Sequence, residues 1–91
     1  MKMDGQKLFE QSEALQSLWN ETVGRHAPPL DQCWVWIQRH PYDVCEYAIR
    51  ETAKRFARYP EMSADHLIRF CSSVANSRKS FLEAQRNKKA A

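Results

Sequence analysis

The four prolines set the first limit on what this chain can become. Pro28-Pro29, Pro41 and Pro60 divide its 91 residues into four stretches. A helix cannot run through such points without losing a backbone hydrogen bond and meeting a ring clash. Each proline also biases the residue before it toward extended geometry. Within every stretch the apolar residues recur at helical spacing, and no strand-like alternation or internal repeat interrupts them. The chain therefore reads as all-α: one domain over residues 1–91, a compact bundle of four helices, or five if the last one breaks.

The first stretch, Asp4 to Val23, places Leu8, Leu15, Leu18, Trp19 and Thr22 on one stripe with Phe9 and Val23 beside it. Glu10, Glu13, Gln16 and Glu21 take the other side, Asp4 can cap the start, and Gly24 is a natural stop. The second stretch, about Leu30 to Arg39, is apolar nearly all round through Cys33-Trp34-Val35-Trp36-Ile37. Residues two apart on a helix lie on nearly opposite sides, so Trp34 and Trp36 cannot share a face. Either both are buried between helices, or one of them, with Tyr42 nearby, anchors a partner protein.

Tyr42 to Tyr59 carries an i, i+4 row of Val44, Ala48, Thr52 and Phe56, broadened by Cys45, Ile49 and Ala53. The last stretch starts near Ser63, which can cap it, and continues its stripe through Leu67, Phe70, Cys71, Val74, Phe81 and Leu82. Its middle, Ser72-Ser73-Val74-Ala75-Asn76-Ser77, is rich in weak helix formers, so a break near Asn76 is one expectation. Residues 1–3 and 86–91 are expected to fray.

Composition narrows the function classes. A 43% hydrophobic, 27% charged chain is an ordinary globular mix, and no apolar run is long enough for a membrane span. Met1 to Asp4 lacks the apolar run that opens a signal peptide, so a cytoplasmic setting is expected. Cys33, Cys45 and Cys71 are odd in number and lie in apolar rows, which reads as small buried hydrophobes kept reduced. No C-x2-C or H-x3-H pair joins them to His26, His40 or His66, so no metal or other cofactor is expected. Cys45 with His40 is a nucleophile and base by residue type alone, and no hydrolase, P-loop or metalloprotease motif is present. The chain reads as non-enzymatic, with no small-molecule substrate.

Charge points further. Residues 1–24 hold two bases against four acids, residues 25–60 six against four, and residues 61–91 six against three. Basic charge grows along the chain. Glu46, Arg50, Lys54 and Arg58 recur every four residues, and Glu46–Arg50 and Glu51–Arg55 have the favourable acid-first order. Glu46 reaches Arg50 at most, which leaves Lys54, Arg55 and Arg58 largely unpaired by local acids. Together with Arg78 and Lys79 these are the candidate contacts to phosphate, or to an acidic groove built to bind phosphate. The alternative is a solvated face whose cations complement helix C-termini.

One pattern spans about Leu18 to Lys79: Leu18-Trp19, a Gly24 connector, an apolar short helix, Tyr42-Asp43-Val44-Cys45-Glu46-Tyr47-Ala48-Ile49, then His66-Leu67-Ile68-Arg69-Phe70 through Val74-Ala75-Asn76. It resembles the C-terminal helical domain of the DnaD family of primosomal and phage replisome-organiser proteins. Leu67-Ile68 stands where that family has Tyr-Ile, and Arg78 stands near the place of its closing Trp. The resemblance implies helices that pack together and contact DNA or a helicase. The expected function is a small accessory protein that binds nucleic acid or a nucleic-acid-handling complex. The rival expectation is a phage- or plasmid-encoded interaction module that inhibits a host or defence complex, of the anti-CRISPR type, anchored by Trp34, Trp36 and Tyr42.

Overall fold

The computed structural model describes residues 5–90, with side chains through Arg86. Four helices follow in order: α1 (Gly5–Thr22), α2 (Leu30–Arg39), α3 (Tyr42–Arg58) and α4 (Ala64–Ala90). The chain is an all-α bundle of four helices, as its periodicity predicts. The expected cap Asp4 lies outside the described residues. The expected break near Asn76 does not occur: α4 runs unbroken for 27 residues, and its backbone is helical to Ala90. Tertiary packing of Leu67, Cys71 and Ala75 overrides the weak propensity of the serine-rich middle. None of these helices is long and apolar enough to cross a membrane.

The connectors follow from proline and glycine. At the end of α1 the amides of Val23 and Gly24 both reach the Trp19 carbonyl, at 2.8 and 3.0 Å, and Gly24 takes φ +81°. A β-carbon at Gly24 would meet nothing closer than 3.9 Å, so backbone conformation rather than space favours glycine there. The segment from Gly24 to Pro29 is then strapped across α1. The Trp19 indole donates to the Arg25 carbonyl at 2.7 Å, and the Gln16 amide donates to the Pro28 carbonyl at 3.0 Å. Pro29 and Pro41 stand immediately before α2 and α3 in extended geometry, and His40, preceding Pro41, is extended as well. Ser63 caps α4 through a 3.3 Å bond from the His66 amide.

The core gathers Leu15, Leu18 and Trp19 from α1, Cys33, Trp36 and Ile37 from α2, Val44, Cys45, Ala48 and Ile49 from α3, and Leu67, Cys71 and Ala75 from α4. At its centre Trp19 and Trp36 stack with ring centroids 6.2 Å apart and planes 22° off parallel. The Trp36 indole donates to the Ser72 hydroxyl at 2.8 Å, which ties α2 to α4. Three buried or half-buried hydroxyls, on Ser12, Thr22 and Thr52, donate to the carbonyl four residues earlier, so their polar atoms are satisfied locally.

The three cysteines are free and buried, as expected. Burial pushes their thiols up to about 11 at Cys33 and about 12 at Cys45 and Cys71. The Cys45 thiol donates to the His40 carbonyl at 3.9 Å rather than meeting the imidazole, so this pair makes no nucleophile and base.

Two measurements check this core. Trp36→Ala is expected to cost about 3–5 kcal/mol in urea unfolding, because it removes the buried ring stacked on Trp19. Trp36→Phe keeps a ring and loses the bond to Ser72, for a smaller cost of about 1–2 kcal/mol. Thiol labelling of the native protein at neutral pH should be slow at all three cysteines and become fast in denaturant, since the reacting species is a thiolate. Fast labelling without denaturant would contradict the buried placement.

Candidate nucleic-acid interface

Helices α3 and α4 lie antiparallel. Arg55 near the end of α3 meets Phe70 near the start of α4, and Tyr47 near the start of α3 meets Arg78 far along α4. The interior of this contact is built from small side chains, Ala48, Thr52, Cys71 and Ala75, all buried. Its outer edge carries larger ones. On α3 the residues Tyr47, Glu51 and Arg55 form an i, i+4 row that ends at Tyr59, just past the helix. On α4 the facing residues are Phe70, Val74, Arg78 and Phe81.

Two arginines are each held between two aromatic rings along this seam. The Arg55 guanidinium carbon lies 4.7 Å from the Tyr59 centroid and 5.4 Å from that of Phe70. The Arg78 guanidinium carbon lies 4.7 Å from the Tyr47 centroid and 5.4 Å from that of Phe81. A guanidinium over a ring face is attracted by the ring quadrupole and keeps its in-plane N–H donors free for another acceptor. Phe70 and Phe81 are eleven residues apart, so the two stacks sit about 16 Å apart along α4. Three of the four rings are well exposed: Tyr47 at 39%, Tyr59 at 42% and Phe81 at 51%. At the Arg78 stack lies an open groove of about 460 Å³, lined by Tyr47, Glu51, Ser73, Val74, Ser77, Arg78 and Phe81.

The expected basic residues do not form one cluster. Arg55 and Arg78 are the two stacked cations. Arg58 is exposed one helical turn from Lys54 and Arg55. Lys54 is not unpaired as its spacing from Glu46 suggests: its ammonium meets the Glu51 carboxylate at 2.8 Å, three residues back. Glu51 is paired with Lys54, and the Arg55 guanidinium lies on the Tyr59 and Phe70 rings. Arg50 lies near Tyr42, whose hydroxyl it draws down while burial, the larger effect, raises it. Lys79 lies beside His40, away from the seam.

Of the expected protein anchors, Trp36 is corrected. Its ring is 3% exposed and its N–H is spent on Ser72, so it offers nothing to a partner. Tyr42 is half-buried against the core. Trp34, on the opposite side of α2 from Trp36, is half-buried. The seam residues that sequence reasoning missed are Tyr47, Glu51, Tyr59 and Phe70 as ring partners and acid. For Tyr47, Glu51 and Tyr59 the signal was present as an i, i+4 row lying beside the more obvious basic row; Phe70 is on α4 and only the fold brings it there.

His40 occupies the corner between α2 and α3 and is 6% exposed. Burial lowers its pKa below the ordinary 6.5, and Lys79 and Arg39 lower it further, against a side-chain hydrogen bond with Asn76. Its Nδ1 has no hydrogen-bond partner among the described residues. No group of three or more His, Cys, Asp or Glu able to hold a metal ion occurs among the described residues. No protein-family model, curated protein or solved structure matches the chain.

The His40 environment sets a sign for pH dependence. The unfolded imidazole takes up a proton below 6.5, whereas the folded one does so only at a lower pH. Stability therefore falls as pH drops from 6.5 through the folded value. His40→Gln is expected to flatten the change in urea midpoint between about pH 7 and pH 5, where unperturbed histidines titrate. A slope unchanged in that variant would place the effect elsewhere.

Proposed function

We propose that this chain is a non-enzymatic accessory module that binds nucleic acid, or a complex that carries it, through the α3–α4 seam. The observation that carries this reading is the pair of arginine–aromatic stacks, Tyr59–Arg55–Phe70 and Tyr47–Arg78–Phe81, open on one edge of the bundle. Phosphates are neutralised by cations, and unpaired bases stack on exposed rings. A surface that offers both at intervals favours strands whose bases are unstacked over an intact duplex. Arg58 and, once released from Glu51, Lys54 extend the same basic edge.

A second reading is a protein-interaction module that inhibits a host or defence complex. Half-buried Trp34 favours it, because that ring lies on α2 and takes no part in the central stack.

Fluorescence anisotropy with labelled single-stranded and duplex oligonucleotides tests the first reading. Single strands are expected to bind more tightly, with log K falling against log salt at a slope near −2 for about three phosphate contacts. Arg55→Glu with Arg78→Glu should weaken binding at least about tenfold at low salt, and Lys54→Glu with Arg58→Glu should weaken it less. All four side chains lie at the surface edge, so circular dichroism should stay that of the folded bundle. Absence of binding at low salt by the folded protein would overturn the reading.

A further inference from the structure

The seam contains one feature that works against its charge. Among the described residues that line the groove, Glu51 alone is acidic. It lies midway along the α3 row, between the two stacked arginines. Its carboxylate holds the Lys54 ammonium at 2.8 Å. The two kinds of cation are therefore held differently. Arg55 and Arg78 are held through their faces by rings, which do not compete for N–H donors. Lys54 is held through its protons by a carboxylate, which competes directly with phosphate for the same donors. The exposures are unequal too. The Lys54 side chain is 78% exposed and that of Glu51 31%. The lysine thus stands mostly in solvent, while the carboxylate lies at the groove.

We propose that Glu51 is a latch on the α3–α4 seam: it withholds Lys54 and keeps phosphate out of the middle of the groove, so that opening of the Glu51–Lys54 pair sets the affinity of the site. The proposal rests on the nucleic-acid reading above. In the latched state the seam presents Arg55, Arg58 and Arg78. In the open state it presents Lys54 as well, against the repulsion of a bare Glu51.

The test compares the whole chain with Glu51→Gln, Lys54→Gln and the double variant, using a labelled single-stranded oligonucleotide across a salt series. Glu51→Ala serves as a second variant should Glu51→Gln perturb folding, which circular dichroism and urea midpoints report. Glu51→Gln is expected to bind about fivefold more tightly at low salt, the scale of a surface ion pair. Its salt slope should steepen by about 0.7, because one more cation engages a single strand. Lys54→Gln alone should weaken binding by about twofold to fivefold at low salt, because it leaves the Glu51 carboxylate bare at the groove. The double variant should lose most of the gain, which a merely structural Glu51 would not produce. Equal or weaker binding by Glu51→Gln overturns the latch while leaving the nucleic-acid reading standing. So does a gain that survives in full in the double variant, since simple repulsion then explains it. Absence of binding by both wild type and Glu51→Gln overturns the nucleic-acid reading and the latch together.

Discussion

The arrangement of the bundle depends on the stack between Trp19 and Trp36. These are the largest side chains in the core, and both indole N–H groups are satisfied by groups on other elements, the Arg25 carbonyl and the Ser72 hydroxyl. One pair of rings thus fixes α1 against α2, fastens the connector between them and sets the position of α4. A buried N–H without a partner would cost about 1–3 kcal/mol, so the two bonds hold the rings in one orientation as well as in contact. With these three elements placed, α3 packs through Val44, Cys45, Ala48, Ile49 and Thr52.

That choice of small residues on α3 has a consequence at the surface. Ala48 and Thr52 on α3 and Cys71 and Ala75 on α4 are all buried and small. The rings near this helix contact, Tyr47, Phe70 and Phe81, stand at its rim. Arginine is the side chain best able to cover such rims: its stem is apolar, its plane stacks, and its edge still meets water or an anion. The close packing inside and the cationic, aromatic edge outside are two sides of one helix contact.

Most of the fold was legible in the chain because prolines and apolar spacing are local signals. The bounds of α2, the stop at Gly24 and the cap at Ser63 all rest on chemistry within a few residues. The break expected near Asn76 was misjudged for the opposite reason: weak propensity is local, and the packing of Leu67, Cys71 and Ala75 that overrides it is not. The same division runs through the site. The basic residues were visible as residue types, but their partners were not. That Glu51 meets Lys54 while Arg55 lies on the Tyr59 and Phe70 rings is visible only in the fold, since Phe70 lies on another helix. Trp36 could not be sorted from Trp34 by spacing, which says only that they face apart. The position of Trp19 decides which of them is inside.

Two accounts of the cations compete, and the helix dipole applies to them unequally. Arg55 and Arg58 stand in the last turn of α3, where the helix dipole favours positive charge whether or not a ligand exists. The charge of these two residues, apart from the rings at Arg55, carries no argument for an anionic partner. Arg78 is different. It lies in the interior of α4, twelve residues before Ala90, beyond the reach of an end effect that fades within one turn. Its recorded contacts are with Tyr47 and Phe81, and the carboxylate nearest in the groove, Glu51, is engaged with Lys54. A guanidinium flanked by two exposed rings and excluded from the nearest acid is not explained by helix stability. Under the nucleic-acid reading proposed above, its free edge is where a phosphate would be met, and for that reason Arg78, more than the C-terminal cations of α3, is the residue on which that proposal turns.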